Sequence, residues 1–267
     1  MQFSFQTVQF SPHFGAEVPL ADVLAAASLA GFGSVGLDVW SVAEHVDRGQ
    51  TLDELTSMLA QMGLQCTDVL PLVVGADGDA AVESAALLAA LARTTGASVC
   101  ATVIGPEITD PRDRRVREGL RRCAEILDGA GVRMAIEYLP YSCVASVADA
   151  VELCDAVGWN AAGLLVDSWH TFVTGQVAAL GGLSAHDIAF VQYSDGVLPQ
   201  PDNVREASRN HRRLPGRGDF DLAAFVDAVA VTGYTGIVSP EVLSAQVRAA
   251  PPASFAVDVH RALHAHW

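Results

Sequence analysis

The sequence predicts an α/β fold, a single (β/α)8 TIM barrel that occupies residues 1–267. Eight apolar runs with the length of buried strands recur along the chain, and Ala- and Leu-rich stretches with helical periodicity lie between them. Eight such units suit a barrel, whose typical length is about 250 residues. The rival fold, a doubly wound open sheet, would need a Gly-x-Gly-x-x-Gly turn after its first strand, and the chain has none there.

The elements follow one another in strict alternation. The predicted strands begin near Phe3, Ser34, Leu64, Ala97, Val132, Ala162, Ile188 and Gly236. The predicted helices cover Leu20–Leu29, Leu52–Met62, Ala80–Arg93, Arg112–Leu127, Val147–Val157 and Leu222–Val231. Several helices end at a glycine that precedes the next strand, such as Gly31 and Gly96, which is typical of a helix that stops in the left-handed conformation. The most irregular connection is 196–218, and connections of that length are usually functional or mobile.

Composition and charge exclude several classes of partner. The chain has 31 acidic and 16 basic side chains, for a formal net charge of −15, which opposes binding to nucleic acid or to an anionic membrane surface. The amino terminus lacks the pattern of a signal peptide, and no apolar run approaches the length of a membrane span. We therefore expect a soluble, cytoplasmic protein that acts on a small molecule.

The basic residues exclude a set of mechanisms. All 16 are arginine, and the chain has no lysine. Without an ε-amine there is no lysine Schiff base of the kind that aldolases and pyridoxal phosphate enzymes use, and no phosphate-binding P-loop lysine. Carbonyl chemistry in this chain would need a metal.

Four metal-capable side chains stand where apolar runs of the second half of the chain reach a loop: Glu137, Asp167, Gln192 and Glu241. A charge in a buried strand is costly unless a partner compensates it, and a divalent cation is the simplest partner for carboxylates that converge from several strands. In a barrel of this kind the catalytic groups lie at the carboxyl ends of the strands. One metal site would explain all four residues.

The order of these residues resembles the xylose isomerase-like barrels, especially the sugar phosphate isomerase/epimerase and 3-epimerase branch. The likeness rests on a Glu after the fifth strand, an Asp-x-x-His segment after the sixth, a ligand in the seventh, a Glu in the eighth, and the segment Leu214-Pro-Gly-Arg-Gly-Asp-Phe-Asp221. It implies that Glu137, Asp167, Gln192 and Glu241 bind one divalent metal. All-oxygen ligands favour Mn²⁺ or Mg²⁺ over zinc, and Co²⁺ is also compatible. Barrels of this branch are often homo-oligomers.

The resemblance also implies a reaction. The metal would acidify a C–H bond next to the carbonyl of a polyhydroxylated substrate and stabilise the enediolate that forms. Glu137 and Glu241 would act as base and acid on opposite faces, and His170 would orient a substrate hydroxyl or carbonyl or transfer a proton. Returning the proton gives an isomerase or epimerase, which is the leading prediction.

Gln192 departs from the commonest pattern of the family, where the third ligand is histidine. Glutamine at this position also resembles the inosose and 3-dehydroshikimate dehydratase branches, so a metal-dependent dehydratase is the runner-up. A related DNA repair endonuclease branch would need more His and Asp ligands than the chain offers, and its charge opposes DNA. A non-catalytic binding protein that retained the barrel is a third class.

The substrate-binding candidates are Arg213, Trp40 and Trp169. Arg213 is chosen among the five arginines of the long connection because arginine suits a carboxylate or phosphate, although solvated arginines are commoner there. Trp40 stands at the end of the second predicted strand and Trp169 within the Asp-x-x-His segment, and both would wall the pocket, with core packing as the default alternative. The histidines at positions 260, 264 and 266 cluster on a terminal helix and are interpreted as surface residues.

Overall fold

A computed structural model describes residues 1–267 and shows nine parallel strands that form one sheet, curled into a nearly closed barrel. The strands are β1 (Gln2–Phe3), β2 (Phe5–Gln6), β3 (Ser34–Asp38), β4 (Gln65–Val74), β5 (Val99–Ile104), β6 (Arg133–Glu137), β7 (Ala162–Asp167), β8 (Ile188–Tyr193) and β9 (Ile237–Pro240). From β2 to β9, each strand pairs with the next one along the chain. The predicted (β/α)8 barrel is therefore confirmed.

The first strand is split, which is why nine strands replace the eight predicted runs. β1 pairs with β9 through Gln2 and Ile237, whereas β2 pairs with β3 through Phe5 and Val35. Ser4 alone separates the two pieces, and its carbonyl accepts a hydrogen bond of 2.7 Å from the hydroxyl of Ser239. One extended segment thus joins both edges of the sheet and closes the barrel.

Twelve α-helices and three short 3-10 helices (Thr7–Phe10, Pro12–Phe14 and Pro201–Asn203) accompany the strands, and the six predicted helices are all present among the α-helices. They are α1 (Leu20–Ala30), α2 (Val39–Asp47), α3 (Leu52–Gln61), α4 (Gly78–Thr95), α5 (Arg114–Asp128), α6 (Val147–Val157), α7 (Ser168–Val173), α8 (Val177–Leu180), α9 (Val204–Asn210), α10 (Leu222–Val231), α11 (Ala245–Arg248) and α12 (Pro252–His266). Gly31 and Gly96 end α1 and α4 with φ of 99° and 83°, the left-handed conformation expected at these positions. None of the helices combines the length and apolarity needed to cross a membrane.

Two short helices outside the predicted stretches begin directly at strand ends. Asp38 closes β3 and accepts a hydrogen bond from the backbone N–H of Ser41, at 2.9 Å, in the first turn of α2. Asp167 closes β7 and accepts one from the backbone N–H of His170, at 2.8 Å, in α7. Each aspartate thereby satisfies a free donor of the helix that follows it. Both caps tie a helix to the carboxyl rim of the barrel.

The apolar core has two layers. The larger cluster lies between the strands and the surrounding helices, and a separate cluster of nine buried residues includes Ala135, Leu165 and Phe190. Successive side chains of a strand point to opposite faces, so these three residues share a face that is distinct from the helix-packed one. That face is the interior of the barrel.

The connection after β8 is anchored by a single carboxylate. Asp195 accepts hydrogen bonds from the backbone N–H groups of Gly216 at 3.0 Å, Gly218 at 2.8 Å and Phe220 at 3.2 Å. A side chain at position 218 would place its Cβ 2.2 Å from an oxygen of Asp195, so only glycine fits. The Pro-Gly-x-Gly segment is therefore folded around Asp195, and it fixes the path of the chain back towards the rim.

Asp68 is an ionisable group deep in the barrel interior. It is fully buried, and its carboxylate accepts hydrogen bonds from Gln6 Nε2 at 2.6 Å and Thr67 Oγ1 at 2.7 Å. Gly36 leaves room for the group, because a Cβ there would lie 2.4 Å from Asp68 Oδ2. Burial raises the pKa of Asp68 to about 6, against the opposing effect of the two hydrogen bonds. Gln6 Oε1 is buried and has no hydrogen-bond partner.

Asp68→Asn should stabilise the protein above pH 6 and have little effect near pH 4. The raised pKa means that the folded state prefers neutral Asp68, so stability is lost as pH rises through about 6, by roughly 3 kcal/mol. Urea denaturation of wild type and variant at pH 4, 6 and 8 measures this difference. Asp227→Asn, at an exposed site, is the control. Equal destabilisation by Asp68→Asn at all three pH values would contradict the expectation.

Candidate active site

Four polar side chains meet at the carboxyl rim of the barrel. Glu137, Asp167 and Gln192 each stand two residues beyond an interior apolar residue of the same strand, so alternation turns them inwards as well. Asp167 and Gln192 are direct partners across β7 and β8. Glu241 follows the last residue of β9. All four residues are at most 9% exposed, so their polar atoms depend largely on neighbouring protein groups for partners.

Arg212 is the cation among these carboxylates. Its Nη1 lies 2.9 Å from Asp167 Oδ2 and 2.9 Å from Glu241 Oε2, and the residue is 3% exposed. Its Nε donates to the carbonyl of Ser208 at 2.8 Å, which holds the guanidinium in place. Burial disfavours its charge, but Asp167 and Glu241 outweigh that effect and raise the pKa of Arg212 above its usual value.

The charges in the group do not balance. Three ionised carboxylates and one guanidinium leave an excess of two negative charges in a buried space. Burial raises the pKa of Glu137, with a further contribution from the charge of Asp167, while Arg212 acts in the opposite sense. Burial likewise raises the pKa of Glu241, again opposed by Arg212. Either protons or one divalent cation would restore neutrality.

His170 is neutral and has a defined tautomer. Arg212 Nη2 lies 3.0 Å from His170 Nε2, and because arginine has no acceptor, Nε2 must accept and the ring proton must sit on Nδ1. Burial, helped by Arg212 and opposed by Asp167, lowers the pKa of His170 to about 3. Glu137 Oε1 lies 3.3 Å from the same Nε2 and has no hydrogen-bond partner.

The residues fit a divalent cation. Glu137 Oε1 and Gln192 Oε1 are buried acceptors with no hydrogen-bond donor, and Gln192 Nε2 donates instead to Glu241 Oε1 at 3.0 Å. One ligand atom each of Glu137, Asp167 and His170 lies within 4.8 Å of the others. A hard divalent cation would provide a partner for the unpaired oxygens and would compensate the excess negative charge.

A cavity of about 310 Å³ opens above this group. Glu137, His170, Gln192, Arg212 and Glu241 form its polar floor. Its walls are mostly apolar and include Val8, Phe14, Leu70, Pro71, Ala101, Val103, Ile104, Pro106, Leu139 and Leu243. A ligand here would meet polar groups at its inner end and apolar surface along its sides.

Two arginines of α9 reach the same cavity. Arg205 and Arg209 line it, and neither forms an ion pair with a carboxylate of the chain. The guanidinium of Arg205 lies 5.1 Å from the ring centre of Tyr141, another lining residue. The connection predicted to be irregular therefore contains a helix that presents two free cations to the cavity.

The three predicted substrate-binding residues have different positions. Trp40 lines the cavity and stacks on His13 with ring centres 4.0 Å apart. Trp169 is only 1% exposed and does not line the cavity, and the guanidinium of Arg212 lies 5.4 Å from the centre of its ring. Arg213 is exposed outside the cavity, where its Nη1 donates to the carbonyl of Arg217. Substrate binding by these residues stays a prediction.

The sequence did not distinguish Arg212 from its neighbour. The backbone of Arg213 pairs with Asp195, and the backbone N–H of Arg212 donates to the carbonyl of Leu243 at 3.1 Å. In such an extended segment adjacent side chains point in opposite directions, so one arginine enters the barrel and the other faces solvent. Which of them enters depends on the register with Asp195, and no local motif specifies that register.

A family model described as "Xylose isomerase-like TIM barrel" matches residues 24–263. A 3-dehydroshikimate dehydratase of Pseudomonas aeruginosa is 35% identical over 167 residues, which is 62% of this chain and 26% of that enzyme. An inosose isomerase of Halalkalibacterium halodurans is 29% identical over 126 residues, 46% of this chain and 43% of the isomerase. The chain thus matches less than half the length of either relative. A crystal structure of the IOLI protein with a bound zinc atom superposes with a TM-score of 0.84 at 15% identity, over 98% of this chain and 96% of that one.

Arg212→Gln should destabilise the metal-free protein by about 3–5 kcal/mol, because it removes the one cation from a group of buried carboxylates. Chemical denaturation in the presence of a chelator measures the loss. Arg213→Gln, one residue away and exposed, is the matched control and should change stability by less than about 0.5 kcal/mol. Equal effects of the two substitutions would show that the buried ion pairs do not carry this stability.

Proposed function

Because this chain belongs to the family of xylose isomerase-like TIM barrels, we propose that it is a metal-dependent enzyme that isomerises or epimerises a small polyhydroxylated carbonyl compound. The observation that carries the proposal is the group at the barrel rim. Glu137, Gln192 and Glu241 line a cavity, and Asp167 is buried in the same group, which has a net negative charge and two unpaired oxygen acceptors. The proposal treats residues 1–267 as one catalytic domain.

Glu137, Asp167, Gln192 and Glu241 would hold the metal. When bound, a divalent cation would polarise the substrate carbonyl and so acidify the adjacent C–H bond. Carboxylate and amide oxygens favour Mn²⁺ or Mg²⁺, and Co²⁺ also suits them. The zinc atom of the IOLI protein supports a divalent cation in a barrel of this fold.

The two glutamates would move the proton. Glu137 ends β6 and Glu241 follows β9, so they approach the cavity from separate parts of the rim. One carboxylate would remove the proton next to the carbonyl, and the other would return it. Their raised pKa values suit this exchange, since a carboxyl group that titrates nearer neutrality both accepts and donates protons.

His170 and Arg212 would shape the inner end of the cavity. Nε2 of neutral His170 already accepts a hydrogen bond from Arg212, so a substrate hydroxyl would bind there only by displacing that donor. The five N–H groups of Arg212 donate within the chain, so Arg212 would hold Asp167, Glu241 and His170 in position. Returning the proton to the opposite face is epimerisation, and returning it to the neighbouring carbon is isomerisation.

A second candidate function is the dehydration of a carboxylated cyclic ketone. It is favoured by Arg205 and Arg209, which face a mostly apolar cavity without carboxylate partners. Apolar walls and two free cations suit a ring with an anionic group better than a neutral sugar, whose hydroxyls would need polar walls. The likeness to a 3-dehydroshikimate dehydratase and the glutamine at position 192 support the same reaction. The first proton transfer is common to both functions.

Nuclear magnetic resonance in D₂O, with a panel of ketohexoses, inososes and dehydroshikimate, tests the shared step and separates the outcomes. Deuterium at a carbon next to the carbonyl with an intact skeleton indicates isomerisation or epimerisation, and an enone or aromatic product indicates dehydration. Removal of the metal with a chelator should abolish either reaction, and Mn²⁺ should restore it. Glu137→Gln and Glu241→Gln should each slow exchange by about 100-fold or more.

Glu83→Gln, on the exposed surface of α4, is the control for the two glutamate variants and should exchange like wild type. Unchanged exchange in Glu137→Gln and Glu241→Gln, or full activity in the chelator, would contradict the proposal.

Arg205→Gln and Arg209→Gln should distinguish the substrate classes. If an anionic group binds between them, each substitution raises KM for a carboxylated ketone by more than about tenfold and leaves KM for a neutral polyol ketone unchanged. Steady-state kinetics with both substrates measures this. Arg217→Gln, in the same connection but outside the cavity, is the matched control. An equal KM change for both substrates would argue against an anion subsite.

A further inference from the structure

A pair of histidines on α12 has the geometry of a metal chelate and plays no part in the proposed reaction. His260 and His264 are one helical turn apart, so their side chains lie on the same face of α12. Their Nε2 atoms face each other at 3.2 Å, and their ring centres are 4.5 Å apart. Neither residue lines the cavity above Glu137.

Aromatic rings from two other elements hold this pair in orientation. The ring of Phe3, at the end of β1, meets His264 edge to face with centres 4.8 Å apart. The ring of Phe32, just after α1, meets His260 in the same way at 4.9 Å. The two imidazoles are therefore packed against the barrel and against each other. A ligand that binds both would cost little side-chain conformational entropy, because the rings are already held in place.

The facing nitrogens can share either one proton, as a hydrogen bond, or one metal ion. Two Nε2 atoms in contact need one ring to donate and the other to accept, and two protonated rings would repel each other. A cation that accepts electron pairs from both nitrogens has no such restriction. With metal–nitrogen bonds of about 2.0–2.1 Å, two nitrogens of a tetrahedral site lie roughly 3.3–3.4 Å apart. The observed 3.2 Å is close to that separation.

We propose that His260 and His264 form a second metal site, selective for borderline transition cations such as Zn²⁺, Ni²⁺ or Cu²⁺. Two imidazole nitrogens would bind the cation and water would complete its coordination. Nitrogen donors favour these cations over Mg²⁺ and Mn²⁺, so the site differs in chemistry from the oxygen donors at the rim. The protein would then bind two metals of different classes at separate places.

The histidine pair lies where α12 packs beside the strand that closes the barrel. α12 packs on α1, and Phe3 belongs to the split strand that closes the barrel. A cation on the two histidines binds only when α12 is helical, because one helical turn brings the nitrogens together. Binding to the folded state alone raises thermal stability. The site would therefore stabilise the docking of α12 beside the closing strand.

Equilibrium dialysis against NiCl₂ tests the proposal. The protein carries no histidine tag, MgCl₂ is present in large excess, and elemental analysis measures the nickel that the protein retains. Wild type should retain one Ni²⁺ that His260→Gln and His264→Gln each lose. His186→Gln, at an exposed position in the turn before β8, is the control and should retain it. Asp167→Asn, at the barrel rim, should also retain it, so failure of the rim site and failure of this site are distinguishable.

A second measurement identifies the ligand atoms of the bound metal rather than its affinity. Electron paramagnetic resonance of the protein with one equivalent of Cu²⁺ should show nitrogen hyperfine coupling that disappears in His260→Gln and His264→Gln. Circular dichroism verifies that both variants keep the fold. Equal nickel retention by wild type and the two folded variants, or a copper signal that both leave unchanged, would overturn the proposal.

Discussion

The concentration of negative charge at the barrel rim is the constraint on which the rest of the site depends. Glu137, Asp167 and Glu241 come from three separate strand ends, and each is buried, so solvent screens its charge only weakly. Arg212 compensates one charge only, so two further negative charges are left for protons or a divalent cation to compensate. The same burial keeps His170 neutral, which makes it an acceptor beside a donor. The net charge of the group and the protonation state of His170 thus follow from the same burial.

The position of Arg212 depends on the connection after β8. Asp195 gathers the backbone N–H groups of the segment 216–220, and the same residue pairs with the backbone of Arg213. Arg212 is consequently turned into the barrel, while α9, a few residues earlier, presents Arg205 and Arg209 to the cavity. One connection therefore supplies both the buried cation of the rim group and the free cations of the cavity. Glu137, Gln192 and Glu241 of the polar floor stand at strand ends, and the arginines of the cavity come from this connection.

Much of the fold and the candidate ligands could be predicted from the sequence, because both depend on local patterns. Strands buried on both faces appear as continuous apolar runs, and a polar residue that ends such a run stands out, as Glu137 and Asp167 do. The cap formed by Asp167 and the inward direction of Gln192 depend on the same alternation. Arg212 could not be chosen over Arg213, and the burial of Trp169 beneath Arg212 could not be foreseen, because each depends on tertiary register. The split at Ser4 likewise depends on closure of the sheet.

The most direct test of the rim group as a metal centre is an anomalous difference map from crystals grown with saturating MnCl₂. We expect one manganese peak per chain, in contact with oxygen atoms of Glu137, Asp167, Gln192 and Glu241. Because Mn²⁺ prefers oxygen donors, the map should show no comparable peak at His260 and His264. Absence of a peak at the rim, or a peak there that contacts none of the four residues, would contradict the account.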